Sequence, residues 1–194
     1  AILREWIAAG RRDLADCFLP APWPEELEPA SLSHLERALL ARVRSMSQAE
    51  WALLPDSGVE EGLPARLVQA GSRALSVEEF LTLAKTKRYS HARLRRLLLW
   101  AFLGLTAADR PAALPYLRVL GFTHRGQALL RQMKTTATLP VLVKPAHAAK
   151  LPAHAQQVFQ LEARCTSLYD LCRRDFGKTA GKNEWTQNPV RRGL

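Results

Sequence analysis

Along most of this chain apolar residues recur at spacings of three and four, interrupted by short breaks rich in Pro, Gly and Ser. Such spacing puts apolar side chains on one face of a helix. Residues 3–9 carry it briefly and stop at Gly10, a residue that ends helices readily. A second short helix is expected over 12–18. Residues 19–29, LPAPWPEELEP, hold four prolines and read as an extended connector. Ser33 followed by Glu36 has the form of a capping box, and the helix behind it would align Leu35, Leu39 and Val43. The same device recurs at Ser47 with Glu50 and at Ser76 with Glu79, with a further helix over about 63–74 between them. The Ser76 helix carries Phe80, Leu81 and Ala84. Ser90 then caps a helix that runs to about Gly104, with Leu94, Leu97, Leu98 and Ala101 in one stripe and Arg93, Arg96 and Trp100 on another. The far half of that helix is apolar all round, which predicts burial.

Beyond Gly104 the pattern changes. YLRVL (116–120) and PVLVK (140–144) read as short strands on either side of a helical pattern over about 124–133. Strand, helix, strand predicts a small parallel βαβ unit with a right-handed crossover. A long helix is expected over 153–176, with Val158, Leu161, Cys165, Leu168 and Cys172 as its buried stripe. The polar tail lacks periodicity and is either disordered or docked by Trp185. The fold class is therefore mainly α: a helical domain with a small two-stranded βαβ element.

Charge sharpens this outline. Lys and Arg number 28 against 18 Asp and Glu, for a formal charge of +10 and a pI near 10.2, which favours nucleic acid or an anionic surface as partner. The densest stretch is 85–96, KTKRYSHARLRR. It holds Lys85, Lys87, Arg88, Arg93, Arg95 and Arg96 around Tyr89, with no acid among them. A cluster like this repels itself, and a phosphate polymer relieves that repulsion while releasing condensed counterions. The plainer reading is a solvated helix end that aids solubility. With 47% hydrophobic residues the chain can build a core, and its longest apolar run, 97–105, is too short to span a membrane. Three cysteines without framework spacing suggest a reducing, cytoplasmic setting, with Cys165 and Cys172 as small core residues. The five histidines lack zinc-type spacing, so no metal site is expected.

Catalytic motifs are missing. There is no GxxxxGK[ST] loop, no GxGxxG after a strand, no GxSxG and no HExxH. Asp13 with Asp16, and Glu25, Glu26 and Glu28, read as solvated charges rather than a carboxylate pair in a cleft. A complete catalytic centre is not expected in this chain.

Several segments, in one order, resemble a known family. KTKRYSHARLRRLLLW is similar to the KTKRYT-x-[ST]-R-[IL]-x-R signature of the bacterial tRNA(Met) cytidine acetate ligases. Glu61, Gly62, Leu63, Arg66 and Leu67 resemble that family's EGLENR[IL] segment. PYLRVLGFTHRGQALL resembles PPYIRVLGF-x-x-x-G-x-x-L, LPVLVK resembles LPII-[ST]-K, and LEARCTSLYDL resembles LDIRATDIYSL. ILREWIAAG resembles the end of S-x-x-AIR-x-x-L, with Arg4 on the motif arginine. Departures are small: Pro64 and Ala65 in place of the family's sequence around Asn, Glu162 for Asp, and Cys165 for Ala.

The resemblance implies an enzyme that uses ATP to activate acetate as acetyl-adenylate and then acetylates the wobble cytidine of elongator tRNA(Met). It also implies that the adenylating centre lies in an N-terminal nucleotidyltransferase-type domain with an HxGH-like motif, and this sequence contains no such motif. The chain opens at Ala1 on a pattern that already reads as the inside of a helix, so a preceding part is expected to be missing. On this view residues 1–30 are the end of the catalytic domain and a connector, 31–176 a helical tRNA-binding domain, and 177–194 a polar tail. ATP and acetate would belong to the full-length enzyme, with none bound to this fragment. The partners would be tRNA and the N-terminal domain, with no membrane. The tRNA contacts expected are Lys85, Lys87, Arg88, Tyr89, Arg93 and Arg96, with Arg118 and Arg125 as further candidates for phosphate.

Individual readings stay open. Tyr89 either stacks on an unpaired base or plugs the joint between two helices. Trp100 reads as core, because apolar residues surround it. Arg118 pairs with a buried carboxylate or reaches phosphate. His124 and Arg125 begin a helix, where backbone N–H groups favour a phosphate, or where they simply cap and solvate it. Arg164 reads as a structural ion-pair partner. The alternative for the whole chain is a non-enzymatic basic helical nucleic-acid-binding or adaptor module that lays the same helix in a duplex groove.

Overall fold

Amphipathic helices dominate the computed structural model, which describes residues 2–20, 22, 30–175 and 184–192. The connector at 21 and 23–29 lies outside the described residues, as do Phe176 and positions 177–183. Two short helices, α1 (Ile2–Ala8) and α2 (Arg12–Asp16), come first. Then follow α3 (Glu36–Ser45), α4 (Gln48–Ala52), α5 (Leu63–Arg73), α6 (Val77–Ala84) and α7 (His91–Leu103). Their apolar faces close on one cluster in which Leu39, Val43, Trp51, Leu63, Leu67, Phe80, Leu81, Leu94, Leu97 and Leu98 are buried. Trp51 and Phe80 stack at its centre, with ring centroids 6.2 Å apart. Each such side chain taken from water stabilises the fold by roughly 1.5–3 kcal/mol.

The capping signals place these helices. Ser47 accepts from the Glu50 backbone N–H, and the Glu50 carboxylate accepts from Ser47 N–H in return. Ser76 accepts from Glu79 N–H, while the Glu79 carboxylate reaches one residue further back, to Leu75 N–H. Ser90 accepts from Arg93 N–H at 3.3 Å, and α7 ends at Gly104, whose φ of +66° only glycine adopts without strain. One expected box is absent. Ser31, not Ser33, caps a 3-10 turn at Leu32–Leu35 that leads into α3. Glu36 is engaged elsewhere: its carboxylate accepts from Val77 N–H at 2.7 Å, tying the start of α3 to the start of α6.

The region after Gly104 departs from the expected single strand pair. YLRVL holds β1 (Leu117–Arg118), and a separate β2 (Gly121–Thr123) follows it. Next come α8 (His124–Thr136), β3 (Val141–Leu142), α9 (Ala153–Asp170) and, in the tail, β4 (Val190–Arg192). β1 pairs parallel with β3, and β2 pairs parallel with β4. The extra ladder forms because β2 leaves backbone donors and acceptors open at an edge, and the C-terminal strand meets them. α8 packs on β2 and buries no residue fully.

The stripe on α9 also differs from expectation. Ala155, Phe159 and Ala163 are buried, while Val158, Leu161, Cys165 and Leu168 are only half-buried. Two small residues flank Phe159 so that its ring enters a second cluster with Tyr116, Leu142, Ala148 and Leu151. Cys172 is buried but lies beyond the helix end, and its carbonyl accepts from Ser31 N–H and from the His34 ring. The described part of the tail is docked: Trp185 meets Phe159 edge-on at 4.7 Å. Among the described residues no helix is long and apolar enough to cross a membrane.

Candidate nucleic-acid interface

The basic stretch 85–96 occupies the joint between α6 and α7. A helix end leaves carbonyls unpaired and carries partial negative charge. Here Arg66, from α5, supplies both the donors and the opposite charge. Its guanidinium donates to the carbonyls of Leu83 (2.8 Å), Ala84 (2.8 Å) and Lys85 (3.2 Å). Five residues later the chain restarts as α7 under Ser90.

Tyr89 fills the joint. It is 4% exposed, and its hydroxyl donates to the Glu61 carbonyl at 2.6 Å. The plug reading is therefore the one realised, and the ring is not available to stack on a base. Arg93 is likewise turned inward. Its guanidinium donates to the Asp56 carbonyl at 3.2 and 2.9 Å, bridges to Glu61 at 3.1 Å and lies 5.5 Å from the Tyr89 ring centre. Two residues expected to touch RNA thus form the frame of the joint instead. A buried phenol needs a partner for its hydroxyl, and a planar five-donor head suits adjacent carbonyl and carboxylate groups.

Lys85, Lys87, Arg88 and Arg96 remain on the surface, and their side chains make no hydrogen bond or ion pair with a described residue. Arg95 reaches Glu78 at 3.6 Å, an exposed pair that adds little stability. Lys87 and Arg88 border a shallow depression of about 450 Å³ with Glu61, Gly62, Arg66 and Thr86. Arg96 borders another, of about 370 Å³, with Trp100, Asp56, Thr106 and Arg110. Trp100 is half-buried, packed on the core at one side and facing this depression at the other.

The remaining candidates separate. Arg118 bridges to Glu184, lies 3.9 Å from Glu162 and sits 5.4 Å from the Phe159 ring centre. Its partners are carboxylates, so it is not open to phosphate. Tyr116 donates to the same Glu162, and burial together with that carboxylate pushes the phenol well above its ordinary pKa. Thr166 donates to Glu184 at 2.7 Å. Arg125 is exposed on the first turn of α8, where Thr123 already caps the Gly126 N–H. Arg164 donates to the Gly104 carbonyl at 3.3 Å, and among the described residues it does not form the expected ion pair. The carboxyl of Asp109 is held below its ordinary pKa by hydrogen bonds from Thr106 and, to a smaller extent, by the Arg164 charge. Burial pushes the Cys165 and Cys172 thiols up, as suits inert packing residues.

Sequence reasoning missed Arg66, Arg42 and Arg44 as structural cations. Arg42 donates to the Ala101 carbonyl at 3.0 Å and Arg44 to the Ala74 carbonyl at 2.9 Å. The targets of the three lie 17 to 59 positions away, so no local spacing announces them.

The model of the HIGH Nucleotidyl Transferase family matches residues 13–184. A tRNA(Met) cytidine acetate ligase of Listeria monocytogenes is 32% identical over 182 residues, covering 92% of this chain and 44% of that protein. One from Clostridium kluyveri is 36% identical over 127 residues, covering 63% and 29%. The structure of Thermotoga maritima TmcAL bound with alpha-thio ATP superposes with a TM-score of 0.83 at 20% identity, covering 100% of this chain and 52% of that one. The chain thus spans less than half the length of these two curated relatives. The expectation that only a C-terminal portion is present finds no support in these matches, because the family model runs over most of the chain.

Proposed function

This chain belongs to the HIGH nucleotidyl transferase family, and from that premise we propose that it grips tRNA within an enzyme of the tRNA(Met) cytidine acetate ligase kind. In this reading ATP activates acetate as acetyl-adenylate with release of pyrophosphate. The acetyl group then passes to the exocyclic amine of the wobble cytidine of elongator tRNA(Met), and AMP leaves. These residues are, in this reading, the helical part that holds the tRNA, and the adenylating step belongs to other residues of such an enzyme. The absence of an HxGH-like sequence from all 194 residues supports giving them the grip rather than the adenylation.

One observation carries the proposal. Lys85, Lys87, Arg88 and Arg96 stand exposed on a joint that Arg66, Tyr89 and Arg93 hold rigid from beneath. Cations fixed in this way meet phosphates without first losing backbone freedom, and phosphate contacts set register rather than sequence choice. Their work would be positional: bringing the anticodon stem to a stated place so that transfer becomes effectively unimolecular.

The test is tRNA affinity as a function of salt. Replacing Lys85 and Lys87 by Ala together should weaken binding and flatten the slope of log affinity against log salt by about two, one per lost contact. An unchanged slope sinks the proposal. Duplex DNA binding as tight as tRNA binding would favour a general nucleic-acid-binding or adaptor module instead.

A further inference from the structure

No Asp or Glu occurs between Asp109 and Glu162, although Lys and Arg recur throughout that stretch. Its middle forms β2 and α8, and α8 carries no acid at all. On this helix Gly126, Leu130 and Met133 are half-buried, the side that meets β2. His124, Arg131 and Lys134 are exposed and fall on one face, at spacings of seven and three. A face that only aids solubility mixes both signs of charge; this one is of a single sign.

The C-terminal strand extends it. β4 lies beside β2 with Arg191 opposite Phe122 and Arg192 opposite Thr123, the residue that caps α8. Arg191 is exposed and sits 5.6 Å from the Phe122 ring centre; Arg192 is exposed next to it. A guanidinium stacked on a ring is held in place while its edge donors stay free for oxygen acceptors. Glu184, the acid in the described part of the tail, is turned inward to Arg118 and Thr166. Docking of the tail through Glu184 and Trp185 therefore sets two outward cations where α8 begins, and the described part of the tail adds no outward carboxylate.

We infer that α8 and β4 together form a second phosphate-contacting surface, built on elements other than the α6–α7 joint, that takes the backbone of a structured RNA. The inference rests on the reading of this chain as a tRNA grip. Cations spread over a helix and a strand match a backbone that runs across both, not a single small anion. Each phosphate met there releases further counterions, so the surface adds to affinity and to salt dependence without adding sequence choice.

The experiment measures tRNA binding by the full 194-residue chain across a salt series. Three changes are compared with the unaltered protein: Arg191→Ala with Arg192→Ala, Arg131→Ala with Lys134→Ala, and Trp185→Ala. The two double changes remove exposed side chains, so folding, followed by circular dichroism, should be unaffected. Each should weaken binding roughly tenfold and lower the salt slope by about two. Trp185→Ala removes no charge, yet should lower the slope as well by releasing β4. Tight tRNA binding with all three slopes unchanged overturns the inference and leaves the proposed function standing. A chain that binds no tRNA at all overturns both. Loss of binding to vesicles of anionic lipid, with tRNA binding intact, also overturns it in favour of a membrane surface.

Discussion

At the scale of the residue, the arginines divide into two occupations. Arg42, Arg44, Arg66, Arg93 and Arg164 each donate to a backbone carbonyl remote in sequence. Lys85, Lys87, Arg88 and Arg96 do so to none of the described residues. A positive formal charge therefore overstates the cationic surface, because part of it neutralises helix ends from within. Arg66 tests this division. Arg66→Ala leaves the carbonyls of Leu83, Ala84 and Lys85 without their donor and should cost about 1.5–3 kcal/mol, read from the midpoint of urea unfolding. Arg66→Lys keeps the charge but not the planar fork, and should recover only part of that loss. Equal midpoints for Arg66→Ala and the unaltered chain would refute the role. The cluster 85–96 was legible as basic from sequence. Which of its members turn inward was not, since Arg93 finds Asp56 37 positions away.

At the scale of the element, the short-range signals carried far. Ser47, Ser76 and Ser90 cap the helices they were expected to cap, because a side-chain oxygen and a backbone N–H three residues on need no distant partner. On α9 the bulky residues of the expected stripe are not the most buried ones. Packing instead sets the Phe159 ring between Ala155 and Ala163. Small residues decide a second contact. A Cβ on Gly71, in α5, would stand 2.5 Å from Val43 Cγ1 and 3.2 Å from the Val43 carbonyl oxygen, in α3. Gly71→Ala gains helix propensity of about 1 kcal/mol but forces these helices apart. The net result should be a lower thermal midpoint, an overpacking cost of roughly 1–3 kcal/mol. Adding Val43→Ala removes the methyl contact but not the carbonyl one, so the clash should be relieved in part. A midpoint raised by Gly71→Ala alone would show that α3 and α5 have room to spare.

At the scale of the whole molecule, the docked tail joins parts that sequence left unconnected. Tyr116, Arg118, Glu162 and Glu184 form one polar cluster against Phe159 and Trp185. Its response to pH has a definite sign. The folded pKa of Tyr116 is raised above the ordinary value of 10.0, first by burial and then by Glu162, so the fold favours the neutral phenol. The stability this contributes is complete below pH 10 and is lost as pH rises towards the folded value. Denaturation midpoints taken between pH 8 and 11 should fall above 10 more steeply for the native chain than for Tyr116→Phe. Parallel profiles would refute the coupling. The same docking places Arg191 and Arg192 beside Phe122 and Thr123, where α8 begins, which is why a surface on this lobe appears only in three dimensions.

The helical class, the positions of most helix starts, the apolar faces of α3, α6 and α7, and the location of the densest positive charge are all legible in the sequence. These depend on periodicity, on caps a few residues long and on composition, all of them local quantities. Which cations face solvent, that Tyr89 is a plug, that Arg118 answers carboxylates, and that β4 completes a second ladder emerge with the folded chain alone. Those outcomes depend on which group comes within about 3 Å of which other group, and chain folding, not spacing along the chain, sets that distance.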